Sequence, residues 1–156
     1  MDISLKEWVL GGHSLGGLLA TTIFIKDPPS EIPKSITRLV QWAGPWEMSR
    51  LRRRKKDSSC STIRLKSVLR INATRDGVVV PFDNRLHYAS SYNDLPDDDG
   101  FSLEIEMIIG GNHSGFPHYG PQLIPMDWER WGISLGEQQA KVVNLTANFF
   151  LESNGN

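Results

Sequence analysis

The stretch "WVLGGHSLGGLLA", Trp8 to Ala20, decides how this chain is read. Trp8-Val9-Leu10 is a short apolar run of strand type, and Gly11-Gly12 carries it into a turn. Leu15 then opens a run without charge that continues to Lys26, where Asp27-Pro28-Pro29 stops it. Proline lacks the N–H that a helix needs, so the segment Leu15–Lys26 reads as a helix that ends there. Ser14 therefore stands between a strand and a helix, with Gly12 and Gly16 on either side. Glycines at a tight corner remove Cβ atoms that would otherwise collide.

Outward from this corner, strand-like and helix-like segments alternate. Ile36–Ala43 is a second strand-like run closed by Gly44-Pro45, and Lys66–Ala73 is a third, followed by a turn at Asp76-Gly77. Pro81 suits the first turn of a helix reaching about Ser91, and Asn93–Gly100 is an acidic loop without the spacing of a calcium loop. Leu103–Ile109 is the fourth strand, closed by Gly110-Gly111. A last helix opens at Ser134, with Glu137 three residues on as a capping box, and presents Val142, Val143, Leu145, Ala147, Phe149 and Phe150. Strands separated by helices pair in parallel, so the expected class is α/β, with about four parallel strands and flanking helices.

Composition narrows the partners. The 156 residues carry 17 basic and 18 acidic side chains, so no global field favours nucleic acid. No apolar run approaches the ~18–20 residues that span a bilayer. The N-terminus lacks the basic start and apolar stretch of a signal peptide, which leaves localisation open. The one cysteine, Cys60, allows no internal disulfide and fits no metal pattern. Arg50–Lys56 is basic at six of seven positions and reads as a solvated loop, with a nucleic-acid, anionic-lipid or import patch as the alternative and no aromatic residue interleaved for single-strand binding. N-x-S/T patterns at Asn72, Asn112 and Asn144 read as chance matches.

Gly12-His13-Ser14-Leu15-Gly16 fits G-x-S-x-G, and its strand and helix flanks supply the setting that a nucleophile elbow requires. There a serine meets the helix N-terminus, where the N–H of Leu15 can face an oxyanion. A capping serine in a glycine-rich turn is the plainer alternative. A serine nucleophile needs a histidine base, and the histidine needs an acid that fixes its tautomer. The sequence offers Asp76 after the third strand and His113 after the fourth, in the order serine, acid, histidine. A parallel sheet would bring all three to one edge. His118 is a second candidate base and Asp83 a second candidate acid. His13 reads as packed under the turn, His87 as a helix residue, and Glu104 and Glu106 as one polar face of the fourth strand.

With these residues in place, "GGHSLGG", "NATRDGVVVP" and "GGNHSGFPHYGPQ" resemble the elbow, acid loop and histidine loop of the α/β-hydrolase superfamily. The last of them, with "ISLGEQQ" after it, is most similar to a dienelactone-hydrolase-like group of small serine esterases, although dienelactone hydrolases themselves use a cysteine where Ser14 stands. The resemblance implies Ser14 as nucleophile, His113 as general base and acid, and Asp76 as the orienting carboxylate. It implies hydrolysis of a small-molecule ester or lactone through an acyl-enzyme, with no cofactor and no metal. It also implies an eight-stranded sheet with the elbow after the fifth strand, so the chain reads as the C-terminal half of that fold, a single partial domain over residues 1–156. On that expectation the Trp8–Leu10 strand is an apolar edge open to self-association. The isolated chain is then a weak or inactive enzyme, or a non-catalytic fragment that acts as an interaction module.

Overall fold

The computed structural model describes residues 7–26, 33, 35–44, 65–79, 102–117 and 132–152. Four strands form one sheet in chain order: β1 (Trp8–His13), β2 (Ile36–Trp42), β3 (Ser67–Ala73) and β4 (Ser102–Ile108). Every pairing is parallel, with Val40 beside Leu69 and Ile71 beside Glu106. The expected class, a partial α/β-hydrolase-like arrangement of four parallel strands with helices, is the one observed. The described helices are α1 (Leu15–Lys26) and α2 (Leu135–Leu151). None is long and apolar enough to cross a membrane. The predicted Pro81–Ser91 helix, the Asn93–Gly100 loop, the Arg50–Lys56 run, Cys60, Asp83, His87 and His118 lie outside the described residues.

Side-chain alternation along the strands separates two faces. On one face Gln41 of β2 reaches α1, where its Nε2 donates to Thr21 Oγ1 at 3.3 Å. On the other, Trp42 Nε1 donates to Thr146 Oγ1 of α2 at 3.2 Å. The helices thus cover opposite faces, and the sheet is the middle of three layers. The main core lies on the α2 face, where Val40, Leu69, Ile71, Ala73 and Ile108 meet Val142 and Phe149. Arg38 fastens the far end of that layer. Its Nη2 donates to the Phe149 carbonyl, its Nε donates to Ser67 Oγ at 2.9 Å, and its guanidinium lies 3.8 Å over the Phe149 ring. A cation at a helix C-terminus meets carbonyls that have no helical donor.

Helix α2 departs in part from its sequence reading. Ser134 is its N-cap and accepts from Glu137 N–H, but the Glu137 carboxylate pairs with Lys141 at 2.9 Å, so the cap runs one way only. The buried residues are Gln138, Val142 and Phe149, whereas Val143 and Phe150 are exposed. Glu104 and Glu106 share one strand face, as expected, and by register that face is the one beneath α2. Burial, followed by the neighbouring Glu152 and Glu106, raises the Glu104 pKa.

Among the described residues β1 is one margin of the sheet, and its Trp8 is half exposed. Helix α1 turns its small residues inward: Gly17, Ala20 and Thr21 are buried, while Leu15, Leu19 and Ile23 form an exposed row at i, i+4 and i+8.

The glycines at the corner divide differently from the sequence expectation. A Cβ on Gly12 would lie 2.3 Å from the Gly16 carbonyl carbon, and one on Gly17 would lie 2.7 Å from Gln41 Cγ and 2.9 Å from the Gly12 oxygen. A Cβ on Gly16 would meet nothing within 4 Å. The tight approach is therefore between Gly12 and the backbone of residues 16 and 17, and Gly16 contributes its backbone, not its missing side chain. Gly12→Ala should cost at least about 3 kcal/mol, because the obstructing atoms are backbone and cannot swing aside. Gly16→Ala should stabilise the chain by roughly 0.5–1 kcal/mol, since alanine is the better helix residue where space is free. Urea melts of the two variants check this pair of opposite signs.

Candidate active site

The corner between β1 and α1 is strained at its apex. Ser14 holds φ 54, a left-handed value that a non-glycine residue adopts only when its surroundings impose it. The Ser14 N–H donates to the Trp42 carbonyl at 2.9 Å, and Leu18 N–H donates to the Ser14 carbonyl at 3.1 Å. The end of β2 and the first turn of α1 thus grip the residue from two sides. Its hydroxyl oxygen lies 2.9 Å from His113 Nε2. Leu15 is the first residue of α1 with its side chain exposed, and its N–H is among the first four helix amides, which have no acceptor within the helix.

Asp76 lies three residues beyond β3 and is almost fully buried. Its two oxygens have separate tasks. Oδ1 accepts from Val78 N–H at 2.9 Å and Val79 N–H at 2.7 Å, while Oδ2 lies 2.9 Å from His113 Nδ1. A carboxylate held by two backbone donors has one orientation, so its free oxygen faces the imidazole in a fixed direction.

His113 lies five residues beyond β4 with no exposed surface. Its loop is laced to the Asp76 loop. Gly110 N–H donates to Thr74 Oγ1 at 2.9 Å, Arg75 N–H donates to the Gly111 carbonyl at 2.9 Å, and Thr74 N–H donates to the Ile108 carbonyl at 3.1 Å. Gly110 supplies the positive φ of 80 at which this loop leaves the strand. With Nδ1 against a carboxylate, the neutral ring carries its proton there and presents the Nε2 lone pair to the Ser14 hydroxyl. Such a row can draw a proton from a serine as the serine attacks, then return it to a leaving group. The structure thus brings Ser14, Asp76 and His113 into one hydrogen-bonded line at the C-terminal edge of the sheet.

His13 belongs to this site more closely than packing under a turn suggests. Its ring centroid is 4.7 Å from that of His113 and 5.9 Å from that of Phe116, with which it stacks. Burial, and then the neighbouring His113, push its pKa down to about 4, against the smaller opposing effects of a hydrogen bond to the His113 backbone and of Asp76. The ring beside His113 therefore stays neutral near pH 7. In an unfolded chain the same ring titrates near its ordinary value of about 6.5. Between those two values the unfolded state binds the extra proton, so stability is fully present above pH 6.5 and falls as pH drops towards 4. Discounted for partial solvent access, the loss amounts to about 2 kcal/mol. His13→Gln should lose less over this range, and denaturant melts of both proteins from pH 7 to pH 4 check the difference.

One participant was not singled out from the sequence. Gln138 of α2 reaches the residue before His113 and hydrogen-bonds both of its backbone polar groups. Among the described residues no group of three or more His, Cys, Asp or Glu side chains could hold a metal ion.

A family model described as the alpha/beta hydrolase family matches residues 2–126, a span that runs from before β1 to beyond the His113 loop. No curated protein and no solved structure matches the chain.

Proposed function

The chain belongs to the alpha/beta hydrolase family, and we propose that within it this protein is a serine hydrolase that cleaves carboxylic ester or lactone bonds of small molecules through an acyl-enzyme. The observation that carries this reading is the unbroken row Ser14 Oγ, His113 Nε2 and Nδ1, Asp76 Oδ2, with both links at 2.9 Å. Ser14 attacks the carbonyl carbon while His113 Nε2 takes its proton. The carbonyl oxygen becomes an oxyanion beside the N-terminus of α1, where the Leu15 N–H is the proposed donor. His113 then protonates the departing alcohol, leaving an acyl group on Ser14. A water molecule deprotonated by His113 releases the acid and restores the serine. Asp76 keeps the proton of the neutral ring on Nδ1 and stabilises the imidazolium that forms in each half-reaction. The likeness of the His113 loop and the residues opening α2 to dienelactone-hydrolase-like esterases supports a small, compact ester or lactone as substrate.

The test is pre-steady-state hydrolysis of a short p-nitrophenyl ester. An acyl-enzyme pathway gives a burst of p-nitrophenol close to one equivalent per chain when deacylation is slow. Linear release that is unchanged by Ser14→Ala would remove the proposal.

A further inference from the structure

The loop that carries His113 has no strand partner of its own, yet its histidine must satisfy two 2.9 Å contacts at once. From the β3 side the loop is held by residues 74 and 75. From the other side Gly132 N–H donates to the Gly110 carbonyl at 2.7 Å and Gln139 Nε2 of α2 donates to the Pro117 carbonyl at 3.3 Å, but the residue next to His113 is held by the α2 side chain of Gln138, which lies 26 residues along the chain from Asn112 and is 2% exposed. Gln138 Oε1 accepts from Asn112 N–H at 3.0 Å, and Gln138 Nε2 donates to the Asn112 carbonyl at 2.8 Å. One carboxamide thus closes on both backbone polar groups of the residue next to His113. Asn112 in turn uses its Oδ1 to accept from Gly115 N–H at 2.9 Å, on the far side of the histidine.

The glycines of this loop fit the same contact. A Cβ on Gly111 would lie 2.9 Å from Gln138 Oε1 and Cδ, and a Cβ on Gly115 would lie 2.3 Å from Gln138 Oε1. The space they leave open is the space that the Gln138 carboxamide fills. Loop and helix residue therefore form one fitted unit, with Asn112 itself 1% exposed. If the carboxamide were removed, two buried peptide groups would lose their partners where water has little access, and the Asn112 peptide would turn to recover them. The 112–113 peptide is shared with His113, so any change of ψ at Asn112 that φ at His113 does not offset displaces the imidazole.

We propose that Gln138 is a positioning residue for His113: its two hydrogen bonds to Asn112 set the height and rotation of the imidazole between Ser14 and Asp76. The proposal rests on the reading of His113 as general base. It makes α2 part of the catalytic apparatus, although α2 contributes no residue to the reacting row.

The experiment compares the full chain with Gln138→Met, which keeps side-chain length but neither hydrogen bond. It also uses Gln138→Glu, which keeps an acceptor for Asn112 N–H and loses the donor to the carbonyl. Each is studied at a temperature where its own melt shows it folded. Two quantities are read: the rate of covalent labelling by a fluorophosphonate, and the far-downfield proton resonance of the His113 Nδ1–H···Asp76 bond. Displacements of an ångström at a reacting group cost about 10²-fold. Labelling should therefore slow about 10- to 100-fold in Gln138→Met and less in Gln138→Glu, with the downfield resonance shifted or broadened in both. Folded variants with wild-type labelling and an unchanged resonance would overturn the proposal and leave Gln138 a structural residue. If the wild-type chain is not labelled, it is the proposed hydrolase function that fails. The resonance then decides alone: a change on Gln138→Met supports the positioning role, and no change overturns it.

Discussion

If the chain hydrolyses esters as proposed, Ser14→Ala should lower the rate by on the order of 10⁴–10⁶, and His113→Ala should lower it by a similar amount. The double variant is little worse than either single one. The reason is geometric. His113 Nε2 meets one partner in the row, the Ser14 oxygen at 2.9 Å, so in the proposed roles a base without its nucleophile and a nucleophile without its base would be equally idle. Steady-state kinetics on the three variants give the cycle, and independent, multiplying losses would show that the two residues do not act as a unit. The fold is not at risk in Ser14→Ala, because the two bonds that grip residue 14 from β2 and α1 are made by its backbone N–H and carbonyl.

Asp76→Asn should give the second large effect, with a loss of up to ~10⁴ in turnover and little change in stability, if Asp76 has its proposed role. The two oxygens of Asp76 show why. The position of Oδ1 accepts from the Val78 and Val79 N–H groups, so an asparagine must keep its carbonyl oxygen there. Its amide nitrogen is then turned to His113 Nδ1, where Oδ2 stands in the wild type. An amide donates where the carboxylate accepted, so Nδ1 must become the acceptor and the ring proton moves to Nε2. That proton then faces Ser14 Oγ, and the base has no lone pair to offer. Kinetics with Asp76→Asn and a thermal melt together check the claim. Full activity would show that Asp76 does not set the tautomer, and a collapsed melt would show that its role is structural.

Much of the fold was legible in the sequence because its signals are local. The four strands are short apolar runs, each closed by glycine or another turn residue, and the proline pair after Lys26 fixed the end of α1. Parallel order follows from helices between strands, and parallel order puts residues 14, 76 and 113 at one edge. What the sequence hid depends on tertiary contact. Gly16 and Gly17 look alike in the motif, and only the packing of Gln41 beneath α1 shows that Gly17 is the crowded one. In α2 the apolar pairs 142/143 and 149/150 are ambiguous until the sheet selects Val142 and Phe149. The selected row, Gln138, Val142, Leu145 and Phe149, runs at i, i+4, i+7 and i+11, so helical spacing could have found it. The obstacle was Gln138, a polar residue on a buried face, which is satisfied only by a backbone peptide far away in the chain. His13 was hidden for the same reason, since its neighbours His113 and Phe116 come from the opposite margin of the sheet.

Whether Ser14 is the nucleophile that His113 and Asp76 activate is read from the site of covalent modification. The folded chain is treated with a fluorophosphonate, digested, and its peptides are weighed. The expected result is a single adduct, on the peptide containing Ser14, that is lost in Ser14→Ala and strongly reduced in His113→Ala. A folded chain that takes up no label, or takes it up equally on other serines, would contradict it.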